Sequence, residues 1–534
     1  MTEPRGRVTT ADEADRLVPG TLTALLAMGL AVFAIAIDST ALSVALPRIE
    51  SDFKVDVSVV QWVINAYGLV FGVLIVAGGR LADMFGRRRM FMLGAALFAA
   101  FSLLGGVAPS AGWLIAARAL MGVGAALMWP ATLGMTFTLL PASKAGLAGG
   151  LVLGVAGIGN ALGPMIGGAL TDAASWRWVL FLNLPIALIA CAVTWTKVHQ
   201  PHDRTVRERI DYAGIATLCA GSFALLVALD QATNLGFGDG RVIVLIVASV
   251  VLLGSFPLIE LRMRGHALIP PDVARNQQFA AACVAISLLA AGFFASLLYL
   301  PQFMQKLLGY SPLGAGVGLL PMMLVYGSVS FLAGTLYGPL GAKLITSAGA
   351  AGMAIGLLLL SLVTSGSGYG AIIAGMVVFG AGLGLFISSV TTAAITTVDP
   401  SRASLAGGLL HMLQLTGGSI GLGLSTAIFT SAFHTTAHNA RLAGTLTAPQ
   451  EHAVNGILAG TASTQQLAQR FPRVADALDR LSREAFASGM HASFRVTAAL
   501  AAVGFLVAVG FIGGRIRRRR EPATPEMATD ARLG

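Results

Sequence analysis

Two charged residues stand inside long apolar runs of this chain, Asp38 within residues 21–46 and Arg118 within 112–138. A charge at bilayer depth costs about 2.5 to 3.5 kcal/mol on insertion scales, so each needs a partner, water or, for the acid, a proton. Asp38 lies about 25 Å from the start of its run at the helical rise. An aspartate placed there can take up and release a proton reversibly. An arginine keeps its proton and acts by fixed charge, for example by holding a carboxylate opposite it. Proton or substrate coupling is the sharper reading of the two residues. The plainer ones are a structural ion pair, or an acid that caps or bends its helix near the outer interface. His411 also lies in an apolar run, where a packed histidine is the plainer reading; the runs beyond residue 270 hold no Asp or Glu in their interiors. Proton handling therefore falls on Asp38.

A second constellation runs from Gly78 to Met90, between the apolar stretches Val59–Ala77 and Phe91–Val107. Arg87, Arg88 and Arg89 would hold this connection on the cytoplasmic side. Gly79 and Gly86 permit a tight turn. Asp83 would sit close to the positive N-terminus of the next helix or pair with a neighbouring arginine. Topogenesis alone accounts for the arginines but not for the acid and the glycines. A third constellation is glycine at 146, 149, 150, 154, 157, 159, 163, 167 and 168, with Pro164 among them. Small residues every four positions let helices approach to backbone distance, and a proline frees a carbonyl and allows a bend.

The elements that must position these residues are membrane helices. The chain has 534 residues, 55% apolar and 11% charged, with mean hydropathy +0.78, far from an ordinary soluble domain. Fourteen apolar runs are long enough to cross a bilayer: 21–46, 58–78, 90–107, 112–138, 146–170, 178–196, 211–230, 241–260, 278–303, 313–335, 342–363, 369–394, 405–430 and 492–513. An even number puts both termini on one side, and the basic tail after Arg515 makes that side the cytoplasm. The net charge of +10 lies between apolar runs and at the ends, so it reads as orientation signal and not as a nucleic-acid face. Cys191, Cys219 and Cys283 all lie in apolar runs, which argues against a disulfide framework, and their spacing gives no metal site. The polar first 20 residues lack the pattern of a cleaved signal peptide. No Gly-rich nucleotide-binding loop is present, so ATP drive is not expected.

The chain repeats itself. Leu147-Ala148-Gly149-Gly150-Leu151 returns as Leu405-Ala406-Gly407-Gly408-Leu409, and Met121-Gly122-Val123-Gly124 answers Phe379-Gly380-Ala381-Gly382 at the same offset. Gly334 to Lys343 is a worn copy of the Gly79 stretch. Three matches in order imply two six-helix bundles in parallel orientation, with two extra helices left between them. The expected division is 1–20 cytoplasmic segment, 21–200 first bundle, 201–270 linker with the extra helices, 271–514 second bundle with an outer loop 431–491, and 515–534 tail.

The Gly78–Met90 stretch resembles the loop between helices two and three of the major facilitator superfamily. Six plus two plus six helices is the arrangement of its 14-helix drug:proton antiporter branch. Ala36-Ile37-Asp38-Ser39-Thr40 with Ala45-Leu46-Pro47 is similar to that branch's first-helix motif. Leu114 to Ala126 is similar to the fourth-helix motif, with Met121 where glutamine is usual. Gly154 to Gly168 is similar to the antiporter motif of helix five, and Asn183-Leu184-Pro185 also follows the family pattern. His411 stands where a polar amide is more usual. The resemblance implies an all-α integral membrane fold and proton-coupled antiport of amphipathic small molecules such as drugs, antibiotics or dyes, by alternating access, in a monomer needing no cofactor. It implies proton coupling at Asp38 and Arg118 and a conformational switch at Gly79, Asp83, Gly86, Arg87 and Arg88, with Asp83 expected to pair across the bundle interface and stabilise the outward-facing state. It also implies a hinge at the bundle interface through Gly159, Gly163, Pro164 and Gly167.

Thr40, Tyr67, Met128, Trp129, Asn160, Gln302, His411 and Gln414 are candidates to line a cavity. Export of a lipid or cell-envelope glycolipid is the alternative. An integral-membrane enzyme would need clustered catalytic or metal-binding side chains, and the sequence offers none. Leu467, Phe471, Val474, Leu478 and Leu481 recur at helical spacing, so an amphipathic helix over the outer mouth is expected within the outer loop.

Overall fold

A backbone crossing hydrocarbon must satisfy its own N–H and C=O groups, and a helix does so within one segment. The computed structural model describes residues 20–513 except 56, 199–210, 237, 263–266, 443–445, 448, 452–453 and 455–470. Among the described residues there are 14 helices long and apolar enough to span a membrane, and no strand. They are α1 (Thr21–Phe53), α2 (Val57–Phe85), α3 (Arg87–Gly106), α4 (Ala111–Leu139), α5 (Ala145–Ala173), α6 (Arg177–Lys197), α7 (Tyr212–Leu235), α8 (Gly240–Arg262), α9 (Gln277–Lys306), α10 (Leu320–Leu340), α11 (Ala342–Leu360), α12 (Tyr369–Thr396), α13 (Ala403–Leu442) and α14 (Ala475–Phe511).

Contacts repeat between the halves. In the first, α1 packs on α5 and α6, α4 on α2 and α3, and α3 on α6; in the second, α9 packs on α13 and α14, α12 on α10 and α11, and α11 on α14. The repeated glycines do the same work in each. A methyl group on Gly122 would strike the Tyr67 carbonyl of α2, and one on Gly124 the Phe98 backbone of α3. Their counterparts Gly380 and Gly382 face the Met322 backbone of α10 and the Met353 backbone of α11. Close backbone approach, more than side-chain interdigitation, joins these helices.

Two equivalent seams join the bundles. Gly150 of α5 lies on Ser330 and Gly334 of α10, and Gly408 of α13 lies on Ile75 and Val76 of α2. The extra pair is peripheral. α7 rests on α2 and α13, through Cys219 Sγ to the Val73 carbonyl at 3.4 Å and Ser222 Oγ to Met412 Sδ at 3.9 Å. α8 lies against α7 and turns an apolar face outward, with Val244 67% exposed.

Helices run beyond the apolar limits. α1 continues through Pro47 to Phe53, so Asp38 sits near the middle of its helix and not toward an outer end. α2 continues through the Gly79 stretch to Phe85, and Gly86 alone separates it from α3. At φ +100° Gly86 adopts a backbone other residues avoid; Gly341, in the worn copy, does the same at φ +84° between α10 and α11. The expected outer loop is largely helical at its two ends. α13 extends to Leu442 and α14 begins at Ala475, so Leu478 and Leu481 belong to an extension of the last span instead of a separate helix over the mouth. Phe471 and Val474 precede that extension, while Leu467, the N-terminal segment before Gly20 and the basic tail lie outside the described residues.

Candidate functional site

Asp38 of α1 meets Arg118 of α4 in a buried ion pair, with both side chains 0% exposed. Arg118 Nη1 donates to Asp38 Oδ2. The other carboxylate oxygen, Oδ1, accepts from Asn183 Nδ2 of α6 at 2.7 Å. Asn183 Nδ2 also donates to Ser102 Oγ of α3 at 3.1 Å, and that hydroxyl donates to the Leu180 carbonyl at 2.7 Å. Arg118 Nε donates to the Val63 carbonyl of α2 at 2.9 Å. The Tyr67 ring lies under the guanidinium, 4.3 Å from its carbon, a cation–π contact strengthened by the absence of water. Five helices of the first bundle thus converge on one carboxylate. Removing one partner of such a pair costs about 3 to 5 kcal/mol, while the pair as a whole adds little stability over apolar packing. Its placement therefore points to a working role.

From this pair a run of rings leads to the other bundle. Tyr67 stacks on Phe71 with centroids 6.0 Å apart. Phe71 lies 5.3 Å from His411 of α13, and Trp129 of α4 lies 4.7 Å from the same ring. The Tyr67 hydroxyl and the Trp129 indole N–H are buried without a hydrogen-bond partner, as are Arg118 Nη2 and the Thr132 hydroxyl.

The Gly79 stretch closes the α2–α13 seam. Asp83 accepts from Leu405 N at 2.8 Å and Ser404 N at 3.3 Å, both in the first turn of α13. The acid does sit at a helix N-terminus, where negative charge is favoured, but that helix is α13 and not the one next in sequence. Arg87 Nε donates to Asp83 Oδ1 at 3.0 Å, Arg87 Nη1 to the Gly134 carbonyl at 3.0 Å, and Arg87 Nη2 to the Pro400 carbonyl. Gly79 lies against the Ser404 carbonyl and Leu405 Cα. Arg88 turns away from the seam, donating to the Trp195 carbonyl at 2.6 Å and stacking on that indole. In the worn copy Gly338 replaces the acid, with its nearest neighbour, the Ser143 carbonyl, 4.0 Å from an added Cβ.

Helix α5 carries two glycine faces. Gly159, Gly163 and Gly167 lie on Ala36, Thr40 and Ala41 of α1, inside the first bundle. The seam with α10 is made instead by Gly146, Gly150, Gly154 and Gly157, against Gly334, Ser330, Gly327 and Tyr326. Of the four expected hinge residues, Pro164 alone reaches the second half, touching Gly316. Thr40 and Asn160 meet through the Thr40 hydroxyl and the Asn160 carbonyl at 3.3 Å, and Ser39 Oγ donates to Asn160 Oδ1 at 3.2 Å. Met128 is fully buried and Gln302 half-buried. None of the eight candidate cavity residues lines the cavity of about 290 Å³ that lies between α2, α7, α9 and α13.

Asn183 and Ser102 received no role from the sequence. An asparagine two residues before a proline in an apolar run was the one available signal, and its partner on another helix was not legible.

The family model for the Major Facilitator Superfamily matches residues 28–422. A puromycin resistance protein of Streptomyces alboniger is 35% identical over 409 residues, covering 74% of this chain and 80% of its own. The tetracenomycin C resistance and export protein of Streptomyces glaucescens is 30% identical over 494 residues, covering 91% and 90%. Among solved structures, the human organic anion transporter MFSD10 superposes with TM-score 0.58 at 11% identity, covering 94% of this chain and 100% of that one. The proton:xylose symporter XylE gives TM-score 0.57 at 13% identity, covering 92% and 96%. At such identity these two bear on the fold alone.

Proposed function

This chain belongs to the major facilitator superfamily, and on that footing we propose that it exports amphipathic small molecules, antibiotics among them, in exchange for protons. It is a multi-pass membrane transporter, and the proposal places both termini in the cytoplasm and lets a single chain work alone. Curated relatives named for antibiotic resistance and export support the cargo class. The observation that carries proton coupling is the fully buried Asp38–Arg118 pair, closed by Asn183 and the Tyr67 ring.

The residues suggest how a cycle would run. With Asp38 ionised, Arg118 holds it and the first bundle is drawn together around one charge pair. A proton on Asp38 cancels the attraction, leaving Arg118 to the Val63 carbonyl and the Tyr67 ring. The five helices then lose the charge pair at their centre, while their glycine contacts remain. Each proton moved inward supplies about 2.3 kcal/mol per 100 mV of membrane potential. Release to the cytoplasm restores the pair and resets the bundle.

The test is dye transport in energised inverted vesicles, comparing the parent with Asp38→Asn, with and without a protonophore. Loss of transport in the variant and in the uncoupled parent is the expected result. Transport that survives the protonophore removes proton coupling, and a fully active, protonophore-sensitive variant moves the proton site elsewhere.

A further inference from the structure

The cavity between α2, α7, α9 and α13 has a wall that the two six-helix bundles do not supply. Leu226 and Val227 of α7 face Trp62 and Asn65 of α2, Phe294 of α9 and Ser419 of α13 across it. Its floor is set at Gly72, where an added Cβ would lie 3.1 Å from Leu415 and 3.7 Å from Leu226. Below that level α7 fills the crevice between α2 and α13, through Cys219 on Val73 and Ser222 on Met412. Toward the other end of α7, the same crevice widens into the cavity.

We propose that this cavity binds an uncharged, apolar ring system, and that α7, one of the two extra helices, is part of the binding site. The inference rests on the export reading and narrows its cargo. Three observations carry it. The volume of about 290 Å³ falls just short of the range for small-molecule sites, roughly 300 to 1,000 Å³, and so suits a small ring system. The lining is aliphatic and aromatic with one amide and one hydroxyl, and none of the lining residues carries a charge. Asp38, the acid that would serve a cation, has both oxygens occupied by Arg118 and Asn183 and is shielded from the cavity by burial. A cation entering here would shed water without gaining a counter-charge, which polar transfer strongly disfavours. An uncharged ring meets Trp62 and Phe294 by stacking and edge contact, with Asn65 and Ser419 to orient a single polar substituent.

The experiment is binding of N-phenyl-1-naphthylamine, an uncharged fluorophore, to the full chain in lipid nanodiscs, read by quenching of protein tryptophan fluorescence against empty nanodiscs. Ethidium serves as the cationic probe. The parent should bind the uncharged probe saturably. Leu226→Trp, which fills the cavity from α7, should raise the dissociation constant about tenfold or more by overpacking. Val227→Phe is the milder filling should the first variant fold poorly. Val244→Trp, on the outward face of α8, should bind as the parent does. Parent-like binding by both filled variants, or no saturable binding by the parent, overturns the proposal. Ethidium binding that is as tight and as sensitive to Leu226→Trp overturns the uncharged class. The assay needs no proton gradient, so failed vesicle transport with intact binding would count against the export reading alone.

Discussion

Asp83 of α2 accepts the backbone N–H of Leu405 at 2.8 Å across the boundary between the two bundles. The contact joins a side chain in one half to the first turn of a helix in the other, and Arg87 holds the same carboxylate from behind. A charged hydrogen bond of this kind is worth about 1.5 to 3 kcal/mol, enough to shift a two-state equilibrium by an order of magnitude or more.

Asp83→Asn keeps an acceptor and removes the charge. The cytoplasmic ends of α2 and α13 should then part more often. Spin labels at Phe85 and Ser401 would report this as a longer, broader distance distribution; an unchanged distribution would mean that the acid does not bias the seam.

Gly150 and Gly338 offer a contrast within the α5–α10 region. A Cβ at Gly150 would lie 2.7 Å from the Ser330 carbonyl and 3.1 Å from Gly334 Cα, so Gly150→Val must push two backbones apart, at a cost of about 1 to 3 kcal/mol. Gly338→Ala meets only an ordinary van der Waals contact with the Ser143 carbonyl and should be neutral or slightly stabilising, since alanine is the better helix former by up to about 1 kcal/mol. Thermal unfolding in detergent would rank them, and equal losses would refute the packing account.

Asn183→Leu leaves Asp38 Oδ1 without its side-chain donor in a buried site, a loss of about 1 to 3 kcal/mol. Both melting temperature and coupled efflux should fall, while Asn183→Gln retains the amide and should recover part of each. Full activity in the leucine variant would show that Arg118 alone holds the acid.

Gly86→Ala and Gly341→Ala force a side chain into positive φ. Each should cost about 1 to 3 kcal/mol, read as a lower melting temperature, with the two losses similar because both glycines combine a positive φ with an extended ψ. A harmless substitution at either site would mean that the turn has an alternative backbone.

Much of the fold was legible in the sequence because the bilayer imposes it. A run of some 20 apolar residues has few options, and glycines repeated at one offset mark backbone contacts that recur in both halves. The cost of an isolated buried charge made a partner for Asp38 and a carboxylate for Arg118 an expectation, and the structure pairs the two. Less could be read where the partner lies on a helix distant in sequence. Spacing along α6 says nothing about Asn183 reaching α1, and spacing along α5 shows two glycine faces without saying which meets α10. The cavity beside α7 was not legible for the same reason. Its residues are mostly aliphatic, and a search for polar or aromatic candidates passes over Leu226 and Val227.

Gly338 stands where the second half would need an acid to match Asp83. The two seams share their glycine contacts, yet the clasp of Asp83 on α13 has no matching acid at Gly338. A molecule built on a two-fold plan is thereby given a front and a back: one edge with a charged catch, the other with glycines bearing on Gly334, Ser330 and Tyr326. Parting should then be lopsided, with labels across α2 and α13 travelling farther than labels across α5 and α10. Placing an aspartate at Gly338 would be the way to ask whether a second catch stalls the swing.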